Sequence, residues 1–299
     1  MAKQNRIKSS KGDLAFDIIN YALLCLVLLI IIYPLWFVVI ASVSDSGAVL
    51  NGQVWLFPVD FQLDAYIRVF KDSRIMRGYR NTIFYTLAGT TLNIVGTVVA
   101  AYPLSRKDFV GRNVIMMILA FTMYFSGGLI PTYLIYKNVV HIVNTVWVMI
   151  LPGMVSVYNL IIVRTFFQGI PYDLQEAAFI DGASNISILL RIIVPLSKPV
   201  LAVMVIFYGV GHWNAFFNAL IYLSKKELAP LQLVLRDILI TSTASISEGT
   251  GGAAVADKAR LAEALKYSVI IVSSLPVLLL YPFLQKYFVK GVMLGAVKG

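Results

Sequence analysis

The residues best placed to do chemistry in this chain form one short polar run, Glu176-Ala177-Ala178-Phe179-Ile180-Asp181-Gly182, with Ile192 and Pro195 following. Glu176 can form a charge-assisted hydrogen bond with a basic or hydroxyl group of a partner, while Ala177 and Ala178 permit close approach. This is docking chemistry, not catalysis. His141 and His212 are the only histidines and Cys25 the only cysteine. Neither a His/Cys metal cluster nor a nucleophile with its base can be assembled from them. The phosphate-cradling pattern Gly-x-x-x-x-Gly-Lys-Ser/Thr is absent, and the run from Gly249 to Gly252 lacks the required lysine and hydroxyl. The chain is therefore expected not to be an enzyme. A second cluster, Tyr208, His212, Trp213, Asn214, Phe217 and Asn218, sets aromatic faces and amides among apolar residues. Aromatic faces stack on sugar rings and amides bond hydroxyls. Tyr208, His212 and Phe216 share one helical side and Asn214 and Asn218 another. The competing reading is that these groups hold helices together.

The elements that position these residues are membrane spans. Apolar residues make up 59% of the chain and charged residues 13%, about half the charge of a soluble domain. About six charge-free stretches suffice to cross a hydrocarbon core. They run from Ile18 to Ser44, Asn81 to Ser105, Asn113 to Tyr136, Asn138 to Arg164, Pro199 to Ser224 and Tyr267 to Gln285. Helices are expected, because lipid leaves no partner for an unpaired backbone group. Pro34, Pro131, Pro152 and Pro276 fall in or near span interiors and predict kinks. Gly89 and Gly96 share a helical face that permits close helix contact. The first stretch follows the basic residues Lys3, Arg6, Lys8 and Lys11 but is too long for a cleaved leader, so it reads as an anchor. Cys25 within it reads as a small apolar residue.

Charge places both termini in the cytosol. About 13 of the 25 lysines and arginines then lie inside, a near balance, but Arg106, Lys107 and Arg112 in one short turn face only Lys137 in the next. The polar run then lies in a cytosolic loop. Asp173 is expected to cap a short helix with Glu176 in a capping-box relation, and Gly182 to end it left-handed. Asn185 or Ser187 is expected to cap a second helix running through Leu189 and Ile192 to Pro195 and the fifth span. Two helices meeting at a glycine make a rigid elbow. The bland alternative is an amphipathic helix lying at the headgroups. Arg164 reads either as snorkelling to the surface or as bracing the elbow through Asp173 or Glu176.

The full spacing of Glu176, Ala177, Ala178, Gly182, Ile192 and Pro195 resembles the cytosolic signature of permease subunits of binding-protein-dependent ABC importers, with Val194 where leucine is commoner. Ala101-Tyr102-Pro103-Leu104-Ser105-Arg106, the run Phe125 to Tyr133, and Gly211-His212-Trp213-Asn214 are similar to the carbohydrate branch. They resemble the second permease of maltose-type systems, and closer still the subgroup for complex polysaccharide fragments. The resemblance implies an all-α membrane protein of the type I importer fold, N-in and C-in. It makes Glu176, Ala177, Ala178, Asp181 and Gly182 the coupling helix that seats on an ATP-binding subunit.

The implied organisation is a cytosolic segment over 1–17, a transmembrane permease domain over 18–290 and a cytosolic tail over 291–299. Within the domain lie a coupling loop at 165–192 and an external loop at 225–266. In that loop Leu231 to Ile240 and Ala253 to Leu265 read as helical and Thr241 to Gly252 as flexible. The resemblance implies as partners a second homologous permease, two ATP-binding subunits that hold ATP and magnesium, and an extracytoplasmic sugar-binding protein. It implies no cofactor in this chain, no nucleic acid, and a multi-pass place in the prokaryotic inner membrane. Its tail would enter the interface between the ATP-binding subunits. The net charge of +10 gives only weak support to an acidic cargo. An ion-gradient-driven secondary transporter is the alternative, and it predicts acidic residues inside the spans, where none is found.

Overall fold

A computed structural model describes residues 11–247, 260, 263, 265–279 and 282. The described residues are helical, without a strand. The chain forms two compact units, one drawn from Met1–Val69 and Ile238–Val272 and the other from Phe70–Asp237 and Ser273–Gly299.

The first unit begins with α1, Lys11–Ser42, in which only Ile40, Ala41 and Ser42 are buried. An apolar helix exposed almost from end to end suits a lipid environment, not water. Pro34 lies inside it. Its end is fixed by polar contacts: Ser44 Oγ donates to the Ile40 carbonyl at 2.6 Å, and Ser42 Oγ and Tyr66 Oη share a hydrogen bond of 2.7 Å. Asp45 caps the short α2, Ser46–Leu50, by accepting from Ala48 N at 3.0 Å. Helix α3, Asp64–Lys71, follows and runs to the unit boundary.

The second unit is organised by α4, Ser73–Ser105, capped by Asp72. Its buried polar residues Asn81, Thr82, Asn93 and Thr97 recur at helical spacing, with Gly89 on the same side. They face elements whose backbone is broken. After α5, Arg112–Tyr124, the chain turns by 113° into α6, Leu129–Asn138. The third apolar stretch is therefore two helices, not one kinked rod. Pro131 sits in the first turn of α6, where no backbone donor is needed, and Gly128 at φ 84° makes the turn.

The fourth stretch is likewise divided, into α7, Trp147–Ile150, and α8, Val157–Gln168. Pro152 and Gly153, at φ 69°, interrupt it. The carbonyls of Gly153 and Met154 freed by the break accept from Asn93 Nδ2 at 3.1 and 2.8 Å. Further on, Asn81 Nδ2 donates to the carbonyls of Glu227 and Ala229 at 2.7 and 3.0 Å, and Tyr85 Oη to that of Leu228 at 2.9 Å. Unpaired backbone at membrane depth is tolerated only where protein groups satisfy it, and α4 supplies them. Replacing Asn81 by Leu orphans two carbonyls and is expected to cost about 2 kcal/mol, read as a lower thermal midpoint of the purified protein.

Helix α9, Asp173–Ile180, precedes α10, Asn185–Ile188, a π turn over Leu189–Ile193, and α11, Val194–Leu196. Then come α12, Lys198–Trp213, and α13, Phe217–Tyr222. Helix α14, Leu231–Ser247, extends past Ile240 through part of the stretch expected to be flexible, and α15 covers Leu265–Leu279 with Pro276 inside. Helices α1 and α4 are each long and apolar enough to cross a membrane, as are the bent pairs α5–α6 and α10/α11–α12 when each is taken as one span. The tail over 291–299 and most of 248–264 lie outside the described residues.

Candidate functional site: the elbow and the fifth stretch

Helix α9 ends in a left-handed turn at Gly182, φ 77°. Gly182 N donates to the Phe179 carbonyl at 3.0 Å and Ala183 N to that of Ala178 at 2.9 Å, the paired bonds of a Schellman stop. The start of the helix departs from expectation. Asp173 is its first residue, not its cap; Tyr172 holds the cap position and makes no side-chain cap bond. The sequence before it, Ile170-Pro171, already turns the chain, so the carboxylates at Asp173 and Glu176 act on the helix as first-turn charges. The second limb is capped by Ser184, whose Oγ accepts from Ser187 N at 3.3 Å. Asn185 and Ser187, the expected caps, are inside that helix, because the Schellman turn consumes only Gly182 and Ala183.

The second limb does not run straight into the fifth stretch. Pro195 cannot donate to the carbonyl one turn back, and its ring crowds it. The turn before it widens accordingly into the π geometry, with Val194 N bonded to the Leu189 carbonyl. The chain then bends by 82° at Ser197 into α12. Ile188 and Ile193 are fully buried in the core that joins them to Tyr102 and Leu104 of α4, Leu160 and Phe167 of α8, and Val200 and Met204 of α12. The elbow is thus a built part of the helical core, not a strip lying on it. Glu176, Ala177, Asp181 and Gly182 are exposed, and Ala178 is half-buried. Among the described residues Glu176 and Asp181 form no ion pair.

Among the described residues Arg164 forms no ion pair with Asp173 or Glu176. Its Nε donates to the Leu104 carbonyl at 2.8 Å, satisfying one of the free carbonyls at the end of α4, where a cation is favoured. Arg106, expected as a cytosolic charge and as the last residue of the Ala101–Arg106 run but not as a partner of the elbow, reaches it. Its Nη1 donates to Asn185 Oδ1 at 2.8 Å and its Nε and Nη2 grip Asp108 at 2.8 and 2.6 Å. The signal was available in Tyr102-Pro103-Leu104-Ser105-Arg106, a cation one residue past a helix end. The Arg106 hydrogen bond holds the Asp108 carboxyl below its ordinary 3.8. A depressed carboxyl contributes stability above its unfolded value and loses it as pH falls through the folded one. The stability difference between wild type and Asp108→Asn is expected to be flat from about pH 5 to 8 and to shrink only below 3.8, as followed by thermal midpoints.

The fifth stretch separates its polar residues. Tyr208 Oη shares a hydrogen bond of 2.6 Å with Thr97 Oγ1 and accepts from Ser156 N at 3.2 Å. His212 Nε2 lies 2.6 Å from Asn93 Oδ1. Because the Asn93 amide nitrogen donates to two carbonyls, its oxygen is the acceptor and His212 Nε2 carries the proton. Trp213 is buried and its Nε1 donates to the Ser273 carbonyl at 3.1 Å. These three groups join helices. Asn214, Phe217 and Asn218 are exposed, Asn214 just beyond the end of α12 and the other two in the first turn of α13. No group of His, Cys, Asp or Glu that could hold a metal occurs among the described residues.

Residues 1–294 match the family of binding-protein-dependent transport system inner membrane components. The chain belongs to that family. As such a component it is a membrane permease of the type I importer fold, not an enzyme. It is similar to the protein LplC of Bacillus subtilis, at 39% identity over 299 residues and all of both chains. It is also similar to the polygalacturonan/rhamnogalacturonan transport system permease protein YtcP of Bacillus subtilis, at 38% identity over 95% of this chain and 98% of the relative. Among solved structures, a chain of a bacterial ABC transporter involved in the import of the acidic polysaccharide alginate matches with a TM-score of 0.86 and 32% identity, covering 95% of this chain and 100% of that one.

Proposed function

We propose that this permease is one half of a heterodimeric, six-span pore that imports oligosaccharides, with both termini in the cytosol and ATP and magnesium held by two separate ATP-binding subunits. The observation that carries the reading is the elbow: an exposed Glu176-Ala177 face ended by a Schellman turn and locked through Ile188 and Ile193 into the core of α4, α8 and α12. A rigid lever of this kind converts movement of a docked partner into movement of the spans. Glu176, Ala177, Ala178, Asp181 and Gly182 form the docking face. A loaded extracytoplasmic binding protein delivers cargo from outside, and closure of the ATP-binding subunits inside opens the spans in turn.

On the cargo path we place Asn214, Phe217 and Asn218, whose exposed amides and ring suit a sugar. Tyr208, His212 and Trp213 hold the wall behind them. Uronate-containing oligosaccharides are the first cargo to test. The names of two relatives, which concern polygalacturonan with rhamnogalacturonan and alginate, support that class. The test reconstitutes this chain with its partner permease, ATP-binding subunits and binding protein in lipid. Replacing Glu176 by Ala is expected to lower binding-protein-stimulated ATP hydrolysis and uptake together, and unchanged values for both would remove the docking assignment. Thermal shift of the binding protein against neutral and uronate oligosaccharides decides the cargo class.

A further inference from the structure

We propose that Arg106 is a positioning residue that makes the elbow carry α4 along with α12, so that one docking movement drives two spans. This rests on the docking role of the elbow. Arg106 follows the last residue of α4 and spends all its edges on neighbours. Nη1 reaches Asn185 Oδ1 at 2.8 Å and Tyr102 Oη at 3.1 Å, while Nε and Nη2 form a fork on Asp108. The guanidinium carbon also lies 4.7 Å from the centre of the Phe179 ring, within cation–π range. Phe179 belongs to α9 and Asn185 to α10. A single cation therefore grips both limbs of the elbow, on either side of Gly182.

The grip has a firm base. Arg112 Nη1 donates to the carbonyl of Arg106 itself at 2.7 Å, and Arg164 Nε to that of Leu104 at 2.8 Å. The backbone that carries Arg106 is thereby tied to α5 and α8. The Arg106 side chain is 10% exposed and Asp108 is 55% exposed, so the cation is enclosed by its partners while its counterion faces water. An ammonium cannot reproduce the planar fork, the amide bond and the ring stacking at once, which makes lysine a non-equivalent replacement here.

Without Arg106, the elbow remains joined to α12 through the bend at Ser197, but α4 follows it only by apolar packing and the distant contact of Lys107 with the Tyr172 ring. In a complex otherwise free of cysteine, with Cys25 replaced by Ser, spin labels at the exposed Val110 and Ile186 report the separation of the α4 end from the elbow. The wild-type distance distribution is expected to stay narrow and unshifted between the nucleotide-free and the ATP–vanadate-trapped complex. In Arg106→Ala and Arg106→Lys it is expected to broaden about twofold and to shift on trapping, with uptake per ATP hydrolysed falling. Asn185→Ala, which leaves the Asp108 fork intact, is expected to move the same way to a smaller extent and decides the matter if the arginine variants do not assemble. Distributions superimposable on wild type in every variant that assembles overturn the latch. If Gly182→Val still uncouples transport in that event, the docking role of the elbow stands; if it too has no effect, both fall.

Discussion

Gly182→Val is expected to lower uptake by the reconstituted transporter about tenfold or more, while Gly182→Asn retains most of it. The residue sits at φ 77°, and a Cβ added there would meet no atom within 4 Å. A Cβ therefore meets no obstacle within the fold, and the strain inside the chain is one of backbone handedness. A side chain other than glycine costs about 1–2 kcal/mol in that region, more for a β-branched residue, and each 1.4 kcal/mol is about a factor of ten in population. Losing the turn releases the bonds from Gly182 N and Ala183 N to the Phe179 and Ala178 carbonyls and lets α9 swing free of the second limb. Asparagine tolerates the left-handed region and keeps them. Equal uptake by the Val and Asn variants would show that the angle between the limbs does not matter.

The second large effect is expected at Gly89, on the opposite face of the same logic. A Cβ at this position would collide with the imidazole of His212, which is held in place by Asn93. Neither neighbour can retreat, since Asn93 is also bonded to the Gly153 and Met154 carbonyls. Gly89→Ala is expected to cost about 3 kcal/mol through overpacking and the lost hydrogen bond. His212→Ala removes the obstacle at the expense of leaving the Asn93 oxygen without its donor, a smaller loss. The double variant Gly89→Ala/His212→Ala is then expected to be more stable than Gly89→Ala alone, a positive coupling between residues that share one space. Thermal midpoints of the four proteins in nanodiscs form the cycle, and a double variant no better than Gly89→Ala would contradict the close approach of α4 and α12.

These two glycines illustrate what the amino-acid order disclosed. Gly182 was legible because a helix-ending glycine has a local cause, and Gly89 because a small residue on an apolar helix invites a neighbour. The neighbour's identity was not legible: His212 lies more than a hundred residues away, and nothing local announces that its partner is Asn93. The apolar stretches themselves were plain in hydropathy, but breaks from Phe125 to Gly128, at Pro152-Gly153 and from Asn214 to Phe216 divide them into shorter helices, since hydropathy registers oil and not hydrogen-bond continuity. The same limit explains the helix caps. Asp173 and Asn185 are good cap residues by type, yet the cap falls on Ser184 because the turn at Gly182 sets where the next helix begins. For the polar cluster of the fifth stretch, spacing put Tyr208 and His212 on one side and Asn214 and Asn218 on another without saying which joins helices; the hydrogen bonds of Tyr208, His212 and Trp213 and the exposure of Asn214 and Asn218 make that distinction.

The central claim is that the Glu176–Gly182 face docks on an ATP-binding subunit. A photo-crosslinking amino acid placed at the exposed Ala177, with the same probe at exposed Trp55 as a control in a loop read as external, tests it most directly in the assembled transporter. The account predicts a crosslink from position 177 to an ATP-binding subunit and none from position 55. Capture of the binding protein or of lipid alone at 177, or of an ATP-binding subunit at 55, would contradict it.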